Sequence, residues 1–373
     1  MLFSALVNGA GLVNVLLQLM LFGQPFFLLL AVIATPLSGE RLRRFRKWVI
    51  GFAVFNLVLA LAQSVLIPVG IYPRRGGTIA DNIGGVFASG GGSAGNYVSC
   101  TVSIYYSAYA LMFMKAVPLW LRIVGFLGAI YQTQVSDSKQ VFLALMLGLI
   151  IVLIMRMRDP VKFLLCIIVT AVGIYGLLWI ILNVEAEFLG PYRNWVDRAE
   201  IYGPEGEATL TKLAAFRLIP PYFDSFLNWL FGLGPGHTVT RLGGWMMPKY
   251  ASMLKPVGAT VHPVSREVFQ VVTDGWIAQE STIFFPMFTW AGLWGDFGLV
   301  GLGSYVYLNY IVMKRVCVDD LGRFMIVSTA VFGFILTQME EPGHTLTIAM
   351  ILGLRWHEAK EQQRAVDQHL LSG

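Results

Sequence analysis

Long apolar runs dominate this chain, and short polar segments interrupt them. A transmembrane helix needs about 20 mostly apolar residues. By that measure the runs predict ten membrane-spanning helices, near residues 2–21, 24–38, 48–69, 97–114, 117–133, 139–155, 162–183, 283–313, 324–339 and 344–356. The opening uncharged stretch is too long for one comfortable span, so a break is expected at Gly23-Gln24-Pro25. The pattern therefore predicts an all-α, polytopic transmembrane helix bundle in which residues 1–373 form a single integral membrane domain.

Only two segments outside the predicted spans are large enough to build a site. Residues 70–96 contain nine glycines and are expected to form a flexible external loop. Residues 184–282 form the second and larger loop, in which the apolar spacing around 208–230 predicts two short amphipathic helices separated by Pro220-Pro221. Residues 356–373 are expected to form a cytoplasmic tail.

The positions of lysine and arginine predict the orientation, because these residues concentrate in short cytoplasmic loops. With ten spans, 16 basic residues fall in loops on one face, and only 3 fall in the short loops on the other. Both termini are therefore predicted to be cytoplasmic, and the loops 70–96 and 184–282 to be external.

Composition supports a membrane protein and excludes several other classes. Hydrophobic residues make up 56% of the chain and charged residues 13%, and the mean hydropathy is +0.65, so polar surface for a large soluble protein is lacking. The basic residues of the cytoplasmic loops account for the net charge of +5. The sequence contains no basic domain, so nucleic-acid binding is not predicted. The three cysteines lie in apolar runs and the five histidines are scattered, so no metal site and no cofactor is predicted.

The long loop combines near-neutral charge with many aromatic residues. Its eight basic and ten acidic residues nearly cancel, so an anion would have to be held by a few placed arginines. Aromatic side chains such as Trp229 suit the membrane interface and could also stack on sugar faces.

Four features of the sequence resemble the O-antigen polymerase and O-antigen ligase superfamily of integral membrane glycosyltransferases, over roughly residues 80–355. Ser138-Lys139 precedes an apolar run, as a Ser-Arg pair does in the family, and one long external loop lies in the C-terminal half. Within that loop, FRLIPPYFDSFLNWLFGLGPGH resembles the family's arginine, amphipathic stretch and glycine turn. Finally, WGDFGLVGL from Trp294 to Leu302 resembles its acidic-x-Gly-Leu-x-Gly segment.

The resemblance implies an undecaprenyl-diphosphate-linked glycan as donor, a sugar hydroxyl as acceptor, and catalysis outside the cytoplasmic (inner) membrane of a bacterium without a metal. Arginine suits the stabilisation of a departing lipid diphosphate, and an acceptor hydroxyl needs a general base. The expected catalytic residues are Arg217, Arg266, His262 and Glu280. The expected substrate-binding residues are Lys139, Arg241, Trp229 and Asp224. A flippase and a chain-length regulator are candidate partner proteins.

Several alternatives stay open at this stage. The ligase branch carries a histidine where this chain has Met287 and Phe288, which favours a polymerase of O-antigen, capsular or exopolysaccharide over a ligase to lipid A core. A secondary transporter is the rival from another class, although no internal repeat is found. Asp296 is expected to cap the following helix, and Glu340-Glu341-Pro342-Gly343-His344 to form a solvated external turn.

Overall fold

The computed structural model describes residues 1–74, 76–87, 95–157, 159–185, 193 and 199–372. Within these residues the protein is all-helical, without a β-strand, as the hydrophobic pattern predicts. The N-terminal half contains α1 (Leu2–Asn8), α2 (Leu12–Ala34), α3 (Gly39–Leu66), α4 (Gly95–Phe113), α5 (Leu119–Val135), α6 (Lys139–Arg156) and α7 (Pro160–Asn183).

The second half begins with short helices and ends with three longer ones. The short helices are α8 (Glu207–Lys212), α9 (Ala214–Leu218), α10 (Phe226–Phe231), α11 (Met247–Leu254), α12 (Pro263–Asp274) and α13 (Trp276–Glu280). The longer helices are α14 (Thr289–Arg315), α15 (Asp320–Phe332) and α16 (Pro342–Ser372). Short helices are therefore present in the predicted 208–230 region, with Pro220 and Pro221 opening a single 3₁₀ turn between α9 and α10.

Five helical segments are long and apolar enough to cross a membrane. They are Leu12–Ala34, Gly39–Leu66, Lys139–Arg156, Phe163–Asn183 and Thr282–Arg315. Large apolar side chains on these helices remain exposed, including Val58, Leu147 and Leu165, as lipid contact requires. The membrane character of the chain rests on these helices, and the count of ten spans stays a prediction.

One feature of the predicted topology is wrong, because α2 continues through Gly23-Gln24-Pro25 without a break. A proline inside a helix leaves the carbonyl four residues earlier without its usual N–H donor, and for Pro25 that carbonyl belongs to Leu21. The side-chain amide of Gln24 donates to the Leu21 carbonyl at 3.3 Å. A side chain thus replaces the lost backbone hydrogen bond, and the helix is preserved.

The two termini of the chain lie at opposite ends of α2. Near its first turn, Asn14 donates to the Pro235 carbonyl at 3.0 Å and accepts from the Thr260 N–H at 2.9 Å. At its last turn, His357 of α16 lies 2.8 Å from the Val32 carbonyl. The prediction that both termini are cytoplasmic depended on a break in α2, and it stays a prediction.

The segment 76–87 packs against α3 instead of forming the flexible connection that was expected. The Gly85 N–H donates to the side-chain oxygen of Gln63 at 2.7 Å, and the Gly85 carbonyl accepts from the side-chain nitrogen of Gln63 at 3.1 Å. Asn56 accepts from the Val86 N–H at 3.2 Å. Two buried amides of α3 therefore hold this segment, whereas the rest of the glycine-rich stretch, residue 75 and residues 88–94, lies outside the described residues.

The main apolar core lies where the N-terminal and C-terminal helices meet. Helix α2 packs along α16, and α6 packs along α15. Tyr105, Met325 and Ile351 are among the fully buried side chains of this core. A second, smaller core joins α9, α12 and the start of α14, and it places the long loop against the bundle.

Candidate functional site

A buried carboxylate joins α14 to the glycine-rich part of the long loop. Oδ1 of Asp296 accepts from the N–H and the hydroxyl of Thr238, at 2.8 and 2.7 Å. Oδ2 accepts from the Gly236 N–H at 2.7 Å and from the Thr240 hydroxyl at 2.8 Å. The expectation that Asp296 caps the following helix is wrong, because all four donors come from residues 236–240.

Glycines on α14 allow this segment to approach so closely. A Cβ on Gly295 would lie 2.6 Å from the Thr238 hydroxyl oxygen, and one on Gly292 would lie 2.7 Å from the Thr240 nitrogen. Real Cβ atoms do not come that near. Gly292 and Gly295, three residues apart, therefore allow α14 to pack closely against the loop segment 238–240.

Arg241 follows directly after this segment and is held by three groups. Its backbone N–H donates to Oε2 of Glu340 at 2.8 Å. Its guanidinium forms an ion pair with Glu341 and lies 5.0 Å from the centre of the Trp245 ring. Arginine side chains stack favourably on aromatic faces, so Glu341 and Trp245 together fix the direction of the guanidinium.

Glu340 is fully buried, and the predicted solvated turn at 340–344 is wrong. The preceding segment folds back over α14, where the Thr289 and Trp290 N–H groups donate to the Leu336 and Gly333 carbonyls. These bonds satisfy N–H groups at the start of α14 that have no partner within the helix. They also place Glu340 in the protein interior, where burial raises the pKa of its carboxyl to about 8.

A cavity of about 160 Å³ lies beside Arg241, and we call it the Arg241 cavity. Asp81 and four segments far apart in sequence enclose it: the start of α4 and residues 240–245, 282–287 and 336–338. Its wall combines aromatic rings with groups that form hydrogen bonds, namely Tyr97, Trp245 and Phe285 with Asn96, Arg241, Thr282 and Gln338. Apolar walls with a few convergent polar groups are typical of small-molecule sites.

The side-chain amide of Gln338 is the most unusual group in this wall. The residue is only 2% exposed, yet neither its nitrogen nor its oxygen has a hydrogen-bond partner among the described residues. A buried polar group without a partner costs about 1–3 kcal/mol. Both a donor and an acceptor are therefore available at the Arg241 cavity for a polar ligand.

Three of the residues predicted to be catalytic, Arg217, Arg266 and His262, do not line this cavity. The side chains of Arg217 and Arg266 are exposed and form no ion pair within the described part of the chain. His262 is the N-cap of α12, where its Nδ1 accepts from the Val264 N–H at 3.3 Å. Burial lowers the pKa of the His262 imidazole. Glu280 ends α13, and its side chain lies outside the described residues.

The residues predicted to bind substrate are separated from one another. Arg241 lies at the cavity, whereas Asp224 is exposed. Trp229 is half-exposed and packs edge-on against Phe223, with ring centres 5.0 Å apart. Lys139 begins α6 and pairs with Asp137 at 3.1 Å. Of the seven predicted residues whose side chains the structure describes, only Arg241 lines the cavity, and the roles of the others stay predictions.

Sequence reasoning missed Lys212, which fastens the long loop to the cavity wall. Its ammonium donates to the Phe285 and Ile335 carbonyls at 3.0 and 2.8 Å. It also lies 4.6 Å from the centre of the Phe288 ring. Burial lowers the pKa of the Lys212 ammonium to about 7. Its position on an amphipathic stretch with several charged neighbours gave no sign that it would be buried.

The described residues contain no group of three or more His, Cys, Asp or Glu side chains that could hold a metal ion. No protein-family model, no curated protein and no solved structure matches this chain.

Proposed function

We propose that this protein is a membrane glycosyltransferase that polymerises undecaprenyl-diphosphate-linked oligosaccharide repeat units into O-antigen, capsular polysaccharide or exopolysaccharide. The observation that carries the proposal is the wall of the Arg241 cavity, where a fixed guanidinium, aromatic faces and the unpaired amide of Gln338 meet. Aromatic faces and amides suit the apolar faces and hydroxyls of a sugar. The guanidinium suits a diphosphate leaving group.

In this proposal Arg241 stabilises the negative charge that develops on the lipid diphosphate as the glycosidic bond breaks. A preorganised cation in a partly buried site stabilises such charge strongly, because it does not have to reorient during the reaction. Glu341 and Trp245 supply that preorganisation through the ion pair and the stacked ring. Gln338 holds a hydroxyl of the bound sugar.

We also propose that nine helices cross the bacterial cytoplasmic membrane: α2 to α7 and α14 to α16. Continuity of α2 removes one crossing from the predicted ten, and the change affects only the N-terminus. Every later loop keeps its predicted side, so the basic loops remain cytoplasmic. The N-terminus and the Arg241 cavity then lie on the external face, and the C-terminus lies in the cytoplasm.

Polymerisation by the purified protein in nanodiscs tests the proposal. Undecaprenyl-diphosphate-linked repeat units should yield a ladder on a gel without added metal or nucleotide. Arg241→Ala should reduce the rate by about 100-fold or more, because it removes a charge-stabilising donor. Arg241→Lys should retain part of the activity, since it keeps the charge without the planar fork.

Arg217→Ala is the decisive comparison, because the sequence motif makes Arg217 the first candidate whereas the cavity favours Arg241. We expect Arg217→Ala to leave the ladder intact. Loss of the ladder in Arg217→Ala, with normal activity in Arg241→Ala, would overturn the assignment of the Arg241 cavity. Transfer to a lipid A core acceptor without a ladder would identify a ligase, and the absence of both products would direct attention to transport.

A further inference from the structure

A second cavity, of about 400 Å³, lies between the first turns of α6 and the last turns of α7. We call it the α6–α7 groove. Most of its wall is apolar, and the side chains that form it include Phe142, Leu143, Met146, Leu177 and Ile180. The groove therefore suits a hydrocarbon chain.

The polar side chains that line the groove lie at one end of it, near the N-terminus of α6. Lys139 is the first residue of α6, is 40% exposed on its side chain, and pairs with Asp137 at 3.1 Å. Gln134 and Gln140 also line the groove. A cation at one end of an apolar groove is complementary to an amphiphile that carries an anionic head on a hydrocarbon chain.

A single layer of side chains separates this groove from the Arg241 cavity. Gln140 lines the groove and donates to the Thr282 hydroxyl at 2.9 Å. The Thr282 hydroxyl also lies 2.9 Å from the Tyr97 hydroxyl, and both of these residues line the Arg241 cavity. The next residue, Ile283, lines the groove, so consecutive residues of one 3₁₀ turn border the two spaces.

We infer that the α6–α7 groove binds the isoprenoid chain of a lipid-linked saccharide whose sugar occupies the Arg241 cavity. The inference rests on the proposed function for the identity of the ligand. An amphiphile with its chain in the groove and its sugar in the cavity carries its diphosphate across the Gln140–Thr282–Tyr97 layer, with the sugar-linked phosphate towards Arg241 and the lipid-linked phosphate towards Lys139. Lys139 then attracts the lipid-linked phosphate, in competition with its present partner Asp137.

Binding of undecaprenyl phosphate to the full-length protein in phosphatidylethanolamine–phosphatidylglycerol nanodiscs tests this inference without turnover. Leu143→Trp fills the groove and should raise the Kd about tenfold, the loss expected when roughly two methylenes of apolar contact are removed. Leu153→Trp on the same helix is the matched control, because Leu153 is exposed and does not line the groove. It should leave the Kd unchanged.

The Lys139–Asp137 pair provides a second test that does not alter the apolar wall. Lys139→Gln should weaken binding, because the attraction between the ammonium and the phosphate is lost. Asp137→Asn should strengthen it, because the ammonium no longer has a competing carboxylate. Asparagine also tolerates the positive φ of 48° at this position. Equal Kd values for the two variants would overturn the role of Lys139.

Two further measurements separate this inference from the proposed function. A Kd for undecaprenyl phosphate that rises in proportion to the phosphatidylglycerol fraction of the nanodisc would show that the groove takes bulk lipid, and would overturn the inference. Kinetics with two donors, one undecaprenyl-linked and one with a fifteen-carbon chain, should show that Leu143→Trp raises KM only for the longer donor. If Leu143→Trp leaves the KM for that donor unchanged in an active enzyme, the groove does not bind the isoprenoid chain. If the wild-type protein transfers no glycan, the proposed function is wrong, and the binding measurements alone then test the groove.

Discussion

At the scale of single residues, Glu340 shows how one buried carboxyl links the segment at Arg241 to α2. Its Oε2 accepts from the Arg241 N–H and, at 3.3 Å, from the side-chain amide of Gln18. Its Oε1 has no hydrogen-bond partner in the part of the chain that the structure describes. A neutral carboxyl suits this position better than a charged one, because burial penalises the charge.

The raised pKa of Glu340 predicts how stability changes with pH. The carboxyl titrates near 4.5 when unfolded and near 8 when folded, so the folded state binds one more proton between these values. The contribution of this carboxyl to the free energy of unfolding is therefore fully present below about pH 4.5 and is lost as the pH rises to about 8. Thermal unfolding in detergent should show this decline, and Glu340→Gln should remove most of it.

A matched control for that measurement is Glu205→Gln, because Glu205 is exposed. It should leave the pH profile of the unfolding temperature unchanged. A Glu340→Gln protein that loses stability between pH 5 and 8 as steeply as the wild type would contradict the assignment.

Lys212 acts in the opposite direction at higher pH, because its lowered pKa makes the folded state more stable as the pH rises from about 7 to 10.5.

At the scale of the secondary-structure element, the repair of α2 at Pro25 makes a double-mutant prediction. Gln24→Leu should destabilise the protein by about 1 kcal/mol, because it leaves the Leu21 carbonyl without a donor. In a Pro25→Ala background the same change should have almost no effect, because residue 25 then donates its own N–H to that carbonyl. Thermal unfolding of the four proteins measures the coupling energy, and strict additivity would argue against the repair.

Some elements were predictable from apolar runs because their burial is determined locally. Helices α6 and α7 lie close to the predicted spans 139–155 and 162–183, since a long apolar run has few structural alternatives. The continuity of α2 was not predictable, because it depends on where the Gln24 side chain points. The burial of Glu340 was not predictable either, because it requires the segment 333–341 to fold over the start of α14.

The same distinction applies to the candidate site. Arg217 ranked first because its position matches a motif, yet its side chain is exposed. Arg241 ranked lower because no local pattern marks it, and its placement depends on residues 99 and 100 positions away, Glu340 and Glu341. The sequence included Arg241 among several candidates in the long loop, and only the tertiary contacts distinguish it from Arg217 and Arg266.

At the scale of the whole molecule, the placement of the termini makes a topological prediction. Epitope tags at the two ends should behave differently in spheroplasts: the N-terminal tag should be accessible to external antibody, and the C-terminal tag should need permeabilisation. The reason is that α2 runs from the end of the bundle near Thr260 to the end near His357. If both tags are protected in intact spheroplasts, then the ten-span arrangement with cytoplasmic termini is correct and the nine-span proposal fails.

The amides buried in α2 also impose an order on how the molecule assembles during synthesis. Asn14 and Gln18 emerge early, but their partners are the backbone at Pro235 and Thr260 and the carboxyl of Glu340. Until those residues have been made, two polar side chains of an otherwise apolar helix lack their native partners, which is costly in lipid. Helix α2 therefore enters the bilayer before its partners have been made. It reaches its final position only after residue 340 has been synthesised and can accept the hydrogen bond from Gln18.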